Sequence, residues 1–98
     1  MTEKCDITCT AKTLKAISHP LRLKILCCLH DGELSVKELV EISGSSQSNI
    51  SQHLSFMRNK GILDSRRDAN RVLYRIAKLE LISVIKMMQE LYCQHEAA

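Results

Sequence analysis

The chain has 98 residues, 45% hydrophobic and 26% charged, which is the composition of one small globular domain and excludes a wholly disordered protein. Its net charge of +3 is unevenly distributed: residues 46–78 hold seven basic residues against two acidic ones, whereas residues 1–45 balance six against six and residues 79–98 hold one against three. A positive charge confined to one third of the chain indicates a surface that contacts phosphates, with a merely solvated basic face as the alternative.

Neither a secretory signal nor a run of 18 apolar residues is visible, so we expect a cytoplasmic protein without a membrane span. In that compartment a structural disulfide framework is not expected. The number of cysteines is odd, and their spacing matches no zinc-finger pattern. The five cysteines are Cys5, Cys9, Cys27, Cys28 and Cys93.

Two helices are predicted in the first third of the chain. Residues 10–18 have apolar residues at helical spacing, and His19-Pro20 ends this helix and begins the next, because proline is tolerated at a helix start. The second helix, from Pro20 to about Asp31, is apolar nearly all round, which predicts a central position in the fold. Residues 1–9 are expected to be flexible.

Cap signals delimit two further helices within residues 35–60. Ser35 and Glu38 have the spacing of a capping box, and Gly44 ends the helix that they begin. Ser45 or Ser46 then caps a fourth helix that runs to about Lys60 and stops at Gly61. Two short helices joined by a tight turn predict a helix-turn-helix.

Beyond Gly61 the apolar period changes from helical to two. Residues 62–67 and 71–76 flank Asp68-Ala69-Asn70, which predicts a β-hairpin with a basic tip, a wing at 62–77. Helical spacing returns at 79–96. The predicted fold is therefore mainly α with a small β-hairpin, a winged helix-turn-helix of order α-α-α-α-β-β-α that occupies residues 1–98 as a single domain. So small a domain buries little of its surface, and we expect a dimer.

The fourth helix has the features of a DNA-reading helix. Ile50, Leu54 and Met57 form one narrow apolar stripe, and the opposite face holds short polar side chains that can read base edges. A solvated helix is usually rich in glutamate and lysine, and residues 46–57 contain neither. With flanking arginines for phosphates, the predicted contacts are Gln47, Ser48, Ser51, Gln52, Ser55, Arg58, Arg66, Arg67 and Arg71.

Several segments together resemble the ArsR/SmtB family of repressors over roughly residues 11–94. These are SQSNISQHL at 46–54, MRNKGIL at 57–63, AISHPLRLKIL at 16–26 and ELSVKEL at 33–39. The resemblance implies a homodimer paired through its first and last helices (10–18 and 79–96). It also implies binding to an imperfect inverted repeat in double-stranded DNA, with release when an inducer occupies a sensor site.

Two of that family's metal sites are not expected here. Ser35 and Lys37 occupy the positions of the third-helix thiolates, and neither is a soft-metal ligand. The last helix lacks paired Asp/His and His/Glu residues for zinc. The four histidines, His19, His30, His53 and His95, are assigned structural or surface roles, so no metal or cofactor is predicted.

The thiols resemble those of the dithiol branch of the family, which includes HlyU, BigR and SqrR and senses reactive sulfur species or oxidants. That resemblance implies that Cys27 and Cys93 form a disulfide or polysulfide bridge, whereas Cys28 falls on an ordinary apolar position. Independently, Cys27 and Cys28 point about 100° apart on a helix and are badly placed to bridge each other. Packed core thiols are the alternative.

Cys5 and Cys9 leave other interpretations open. They can be an accessory redox pair, part of a flexible tail, or ligands with a third thiolate for As(III) or a soft metal. The main alternative function is therefore an arsenite- or soft-metal-responsive repressor. A constitutive DNA-binding protein with core cysteines is a third interpretation. An enzyme is the least favoured: a Cys/His hydrolase needs a nucleophile beside its base and a pocket, for which 98 residues offer little room, and no glycine-rich phosphate loop is visible.

Overall fold

The computed structural model describes residues 6–92 and contains five helices and a three-stranded antiparallel sheet of strand order β1-β3-β2. This confirms the predicted winged helix-turn-helix. The elements are α1 (Ile7–Ile17), α2 (Pro20–Leu29), β1 (Leu34–Ser35), α3 (Val36–Ser43), α4 (Gln47–Asn59), β2 (Leu63–Asp68), β3 (Arg71–Ile76) and α5 (Leu79–Tyr92). None of the helices within residues 6–92 is long and apolar enough to cross a bilayer.

Helix α1 begins three residues before the predicted start at residue 10. The carboxylate of Asp6 accepts a hydrogen bond from the backbone N–H of Cys9 at 2.9 Å and so caps the helix. Residues 7–9, which the sequence analysis placed in a flexible segment, therefore form the first turn of α1. Cys5 lies outside the described residues.

The predicted caps of the helix-turn-helix are present. Ser35 and Glu38 exchange hydrogen bonds at 3.1 and 2.9 Å, and Gly44 adopts the left-handed conformation (φ 74°) that ends α3. The Ser46 hydroxyl accepts from the backbone N–H of Asn49 at 3.1 Å and starts α4. The capping choice left open between Ser45 and Ser46 is thus resolved in favour of Ser46.

The hairpin of β2 and β3 pairs Leu63 with Ile76 at its base and Asp68 with Arg71 at its tip. A third strand, β1, adds Leu34 and Ser35 to the other edge of β3. The sequence analysis did not predict β1, because two residues are too few to show a period. The sheet therefore connects the wing directly to the start of α3.

The core lies between α2, α4 and the sheet. Its fully buried side chains are Ile25, Leu26, Leu29, Leu39, Ile50, Leu54, Met57, Leu63 and Ile85. Helix α2 provides three of them, which agrees with its predicted central position. Helix α5 provides only Ile85. One side of α4 is thus fixed against the core, and its other side is available to a partner.

Candidate nucleic-acid interface and thiol cavity

The predicted DNA-reading residues lie on the outward face of α4. Ile50, Leu54 and Met57 are all 0% exposed, so the opposite face of the same helix points into solvent. The side chains on that face are uncharged hydrogen-bonding groups. Of the predicted contacts on α4, Gln47, Ser48, Gln52, Ser55 and Arg58 are exposed and Ser51 is half-buried.

The turn before α4 is fixed by hydrogen bonds within the chain. The Ser43 hydroxyl accepts from the backbone N–H of Ser45 at 3.1 Å, and the Asn49 amide donates to the Ser45 hydroxyl at 2.9 Å. The ammonium group of Lys24 on α2 donates to the Ser43 carbonyl at 3.4 Å. The reading helix therefore begins at a well-defined point relative to α2 and α3.

Arg66 of the wing is engaged with a carboxylate of the same chain. Its guanidinium makes two parallel hydrogen bonds of 2.8 Å to Glu33, a residue that precedes β1. This pair lowers the pKa of Glu33 and raises that of Arg66. Arg66 thus braces the wing against the segment before α3, a role that the sequence analysis did not assign to it.

The other wing cations differ in how far they are paired. The Arg75 guanidinium lies 3.4 Å from a carboxylate oxygen of Asp64 and 3.9 Å from one of Glu33. The Arg71 guanidinium lies 3.3 Å from a carboxylate oxygen of Asp68 near the tip. Arg67 is exposed and makes no ion pair within residues 6–92. At the end of α4, Arg58 donates to the Ser65 hydroxyl at 3.2 Å. Arg67 is therefore the wing cation most available to a phosphate.

An apolar cavity of about 500 Å³, called the thiol cavity below because Cys27 is part of its wall, lies between α1, α2 and α5. It is lined by Leu14, Ile17, Ser18, Leu23, Cys27, Val84, Ile85, Met88, Gln89 and Tyr92. Cys27 is half-buried at its wall. Cys93, the second predicted sensor thiol, lies outside the described residues but is joined directly to Tyr92, which is part of the same wall.

Cys28 has a different environment from Cys27. It is half-buried, packs against the core and is not part of the cavity wall. Burial raises the pKa of the Cys28 thiol above its ordinary value of 9.0, and the nearby Lys24 only partly opposes this shift. Because the thiolate is the reactive form, this shift makes Cys28 less reactive than an ordinary exposed thiol.

Cys9 is exposed on α1 and borders a smaller cavity of about 300 Å³ that Lys60 and Lys78 also line. Its predicted neighbour in an accessory pair, Cys5, is not described. Within residues 6–92 no group of three histidine, cysteine or acidic side chains is arranged to hold a metal ion. Of the two cysteines predicted to bind As(III) or a soft metal, Cys5 and Cys9, the structure therefore describes only Cys9.

Sequence reasoning missed two contacts that position the interface. One is the Glu33–Arg66 pair, and the other is a contact between Arg22 on α2 and His53 on α4. The partners are 33 and 31 residues apart, so no local period or spacing signals them. His19 has the structural role predicted for it, because its ring caps α2 by accepting from the backbone N–H of Leu21 at 3.1 Å.

Comparison with known proteins identifies the family. Residues 19–65 match the model of the bacterial regulatory protein arsR family. The chain is 43% identical to the HTH-type transcriptional regulator YgaV of Escherichia coli, over 95% of this chain and 99% of YgaV.

Two solved structures share this fold and part of the sequence. Reduced HlyU from Vibrio cholerae superposes with a TM-score of 0.85 and 39% identity over 91% of this chain and 94% of that one. The transcriptional repressor BigR from Xylella fastidiosa superposes with a TM-score of 0.81 and 34% identity over 88% of each chain. The chain therefore belongs to the ArsR family of winged-helix, DNA-binding transcriptional regulators, and within it to the branch of HlyU and BigR.

Proposed function

We propose that the chain is a homodimeric repressor that reads an imperfect inverted repeat with α4 and is released from it by oxidation of a thiol pair. The observation that carries the DNA-binding part is the outward face of α4, whose side chains donate and accept hydrogen bonds and carry no charge until Arg58. Such side chains distinguish base edges in the major groove, whereas Arg67 and Arg71 on the wing are suited to phosphates.

The homodimer is supported by the apolar surface of the first and last helices. Ile7 is 73% exposed, and Leu79, Met87, Leu91 and Tyr92 are between 68% and 77% exposed. A second copy with the same surface would bury these side chains across a two-fold axis. Two reading helices related by that axis match half-sites about 34–36 Å apart, which is one turn of DNA.

The thiol switch is supported by the position of Cys27 in the cavity wall. Tyr92 belongs to the same wall, and Cys93 is the next residue in the chain. A bridge between Cys27 and Cys93 would join the central helix α2 to the end of α5. That end belongs to the proposed dimer surface, so the bridge would change how the two copies, and hence the two α4 helices, are oriented.

The chemistry requires an oxidant, which we take to be a low-molecular-weight persulfide, a disulfide or a peroxide. With a disulfide, the Cys27 thiolate attacks one sulfur and displaces a thiolate, and Cys93 then displaces the second thiolate. Two electrons pass from the protein thiols to the reagent, which becomes two thiols. With a persulfide, each cysteine thiolate takes the outer sulfur of one reagent molecule and releases a thiol. One protein persulfide then attacks the inner sulfur of the other and expels hydrogen sulfide, which leaves a trisulfide bridge that is one sulfur longer than a disulfide.

Mass spectrometry of the full chain tests this switch. Reduced protein is treated in parallel with glutathione persulfide, hydrogen peroxide or arsenite, and the peptides are then mapped. A Cys27–Cys93 link with added sulfur only after persulfide indicates a reactive-sulfur sensor, and a plain disulfide after peroxide indicates a general redox switch. If neither oxidant links the two cysteines, the switch is wrong; arsenite retained on Cys5 and Cys9 then favours the metalloid-responsive alternative.

Cys28→Ser is the matched control for that experiment. Cys28 is the chain neighbour of Cys27 on the same helix, but it lies outside the cavity wall. We expect the Cys28→Ser protein to form the same link as the unmodified chain, and the Cys27→Ser protein to form none. A link that persists without Cys27 would overturn the assignment.

A further inference from the structure

The guanidinium of Arg22, near the start of α2, makes three contacts to two other helices, α1 and α4. Its Nε donates to Nδ1 of His53 on α4 at 3.1 Å, and its NH1 donates to the Ala16 carbonyl at the end of α1 at 2.9 Å. Its Cζ also lies 3.9 Å from the centre of the Phe56 ring on α4. Arg22 is half-buried, so these contacts are partly shielded from water.

The contact with α1 supplies a hydrogen-bond donor to a carbonyl group that the backbone leaves without one. In a helix the Ala16 carbonyl would accept from the backbone N–H of residue 20, but that residue is Pro20, which has no N–H. Ala16 is 4% exposed, so water is a poor substitute. A buried carbonyl without a donor is costly, and the Arg22 guanidinium supplies that donor.

The contact with α4 requires an uncharged His53. Because Arg22 Nε can only donate, Nδ1 of His53 must carry a lone pair. The groups that act electrostatically on His53 are Arg22 and His19, whose ring centre lies 4.7 Å away, and Lys60 lies over the neighbouring Phe56 ring at 5.5 Å. Within residues 6–92 no carboxylate acts on His53.

We infer that Arg22 is a positioning residue for DNA recognition, which holds α4 in register with the end of α1. The inference rests on the proposed role of α4 as the reading helix. The end of α1 also belongs to the thiol cavity, because Ile17 and Ser18, which follow Ala16, line it.

Arg22→Lys tests the inference without a change of charge. Lysine cannot make two directed hydrogen bonds and stack on a ring with one planar group. In the full-length reduced protein, we expect about tenfold weaker binding to an operator selected from random duplexes, measured by fluorescence anisotropy. Affinity for an unrelated duplex should be unchanged, because phosphate contacts remain. Lys12→Arg, at an exposed position on α1, should alter neither affinity.

A pH profile supplies a readout that a merely structural residue would not change. Burial, and then His19 and Arg22, lower the pKa of His53 below its ordinary value of 6.5. The unfolded chain therefore binds the proton more readily, and the stabilisation by the Arg22–His53 bond is full above about pH 6.5 and lost as the pH falls further. Operator affinity should weaken about three- to tenfold between pH 7.5 and 5.5.

His53→Asn is the matched variant for the profile. Its Oδ1 is an acceptor close to the position of Nδ1 and does not titrate, so the part of the pH dependence due to His53 should disappear while affinity at pH 7.5 is kept. Wild-type binding by Arg22→Lys, or an identical pH profile for His53→Asn, would overturn the inference. If Arg22→Lys fails to fold, His53→Asn still decides it.

Gln52→Ala separates this inference from the proposed function. If Gln52→Ala keeps the full preference for the operator over an unrelated duplex, α4 is not the reading helix and the proposed function fails. If that variant loses its preference while Arg22→Lys keeps it, only the positioning role of Arg22 is wrong.

Discussion

The face formed by α4 and the wing differs from the face formed by α1 and α5 in both chemistry and completeness. The first exposes uncharged polar groups and arginines, and its elements are fixed by bonds within the chain, such as Arg66 to Glu33 and Arg58 to Ser65. The second exposes apolar side chains such as Met87 and Leu91. The first face therefore suits a charged, hydrated partner, and the second suits the proposed contact with another copy of the chain.

The difference also separates the two proposed tasks of the protein. Recognition of DNA belongs to the polar face, whereas the thiol cavity lies on the apolar side, bounded by α1 and α5. In the proposed switch, oxidation at the cavity leaves the DNA-contacting side chains unmodified and acts by changing the arrangement of the helices. Substitutions on the two faces should therefore have different effects.

The largest effect on stability is expected from the buried side of α4. Leu54 is 0% exposed, and Leu54→Ala should lower the free energy of unfolding by about 2–5 kcal/mol. The exposed neighbour Ser55 provides the contrast, because Ser55→Ala should change stability by less than about 0.5 kcal/mol. Urea unfolding measures both, and equal losses would contradict the assignment of the two sides.

On the apolar face, Met87→Glu should weaken the proposed dimer. A carboxylate placed in both copies of an apolar interface costs several kcal/mol, or about a hundredfold in dimer affinity. Analytical ultracentrifugation measures the dissociation constant, with Met87→Leu as the volume-conserving control. Unchanged assembly of Met87→Glu would show that this part of α5 is not in the interface.

On the polar face, Gln52→Ala and Arg67→Ala should differ in kind. Loss of a base contact at Gln52 should cost about 1–3 kcal/mol of discrimination between operator and altered sites. Loss of a phosphate contact at Arg67 should weaken binding to all duplexes and reduce the salt slope by about 1. Titrations of each variant at several salt concentrations check both, and a uniform loss for Gln52→Ala would contradict its role.

The smallest effect concerns the brace between the wing and the segment before α3. The bond from Arg66 lowers the pKa of Glu33 below 4.5, so its contribution to stability is present above about pH 4.5 and is lost as the pH falls further. Urea unfolding at several pH values should show a slightly lower free energy of unfolding for Glu33→Gln than for the unmodified chain at pH 7, and this difference should vanish toward pH 3. A difference that is independent of pH would assign the effect to packing instead.

The elements that the sequence predicted are those with local signals. The Ser35–Glu38 box, Gly44 and the apolar stripe of α4 each involve residues within a few positions, and the structure contains all of them. The early start of α1 was missed because Asp6 was not recognised as a cap. Strand β1 was missed because its two residues are too few to show a period and its partner in β3 lies far along the chain.

The site was predictable to a smaller extent. Spacing identified the outward face of α4, but the bonds of Arg22 to His53 and of Arg66 to Glu33 depend on the fold and leave no local pattern. The same holds for Cys27, whose position in a cavity wall follows from how α1, α2 and α5 pack. Residue types therefore indicate which chemistry a site can perform, and tertiary packing decides which of those residues are accessible to a partner or reagent.

Operator affinity before and after oxidation tests the central claim most directly. Reduced and persulfide-treated full-length protein would be titrated with operator DNA, using the unmodified chain, Cys27→Ser and Cys28→Ser. A coupling of about 1–3 kcal/mol corresponds to a loss of about 5- to 150-fold for the unmodified chain and for Cys28→Ser, restored by a reductant, with no loss for Cys27→Ser. An equal loss in Cys27→Ser, or no loss in the unmodified chain, would contradict a thiol switch at this cavity.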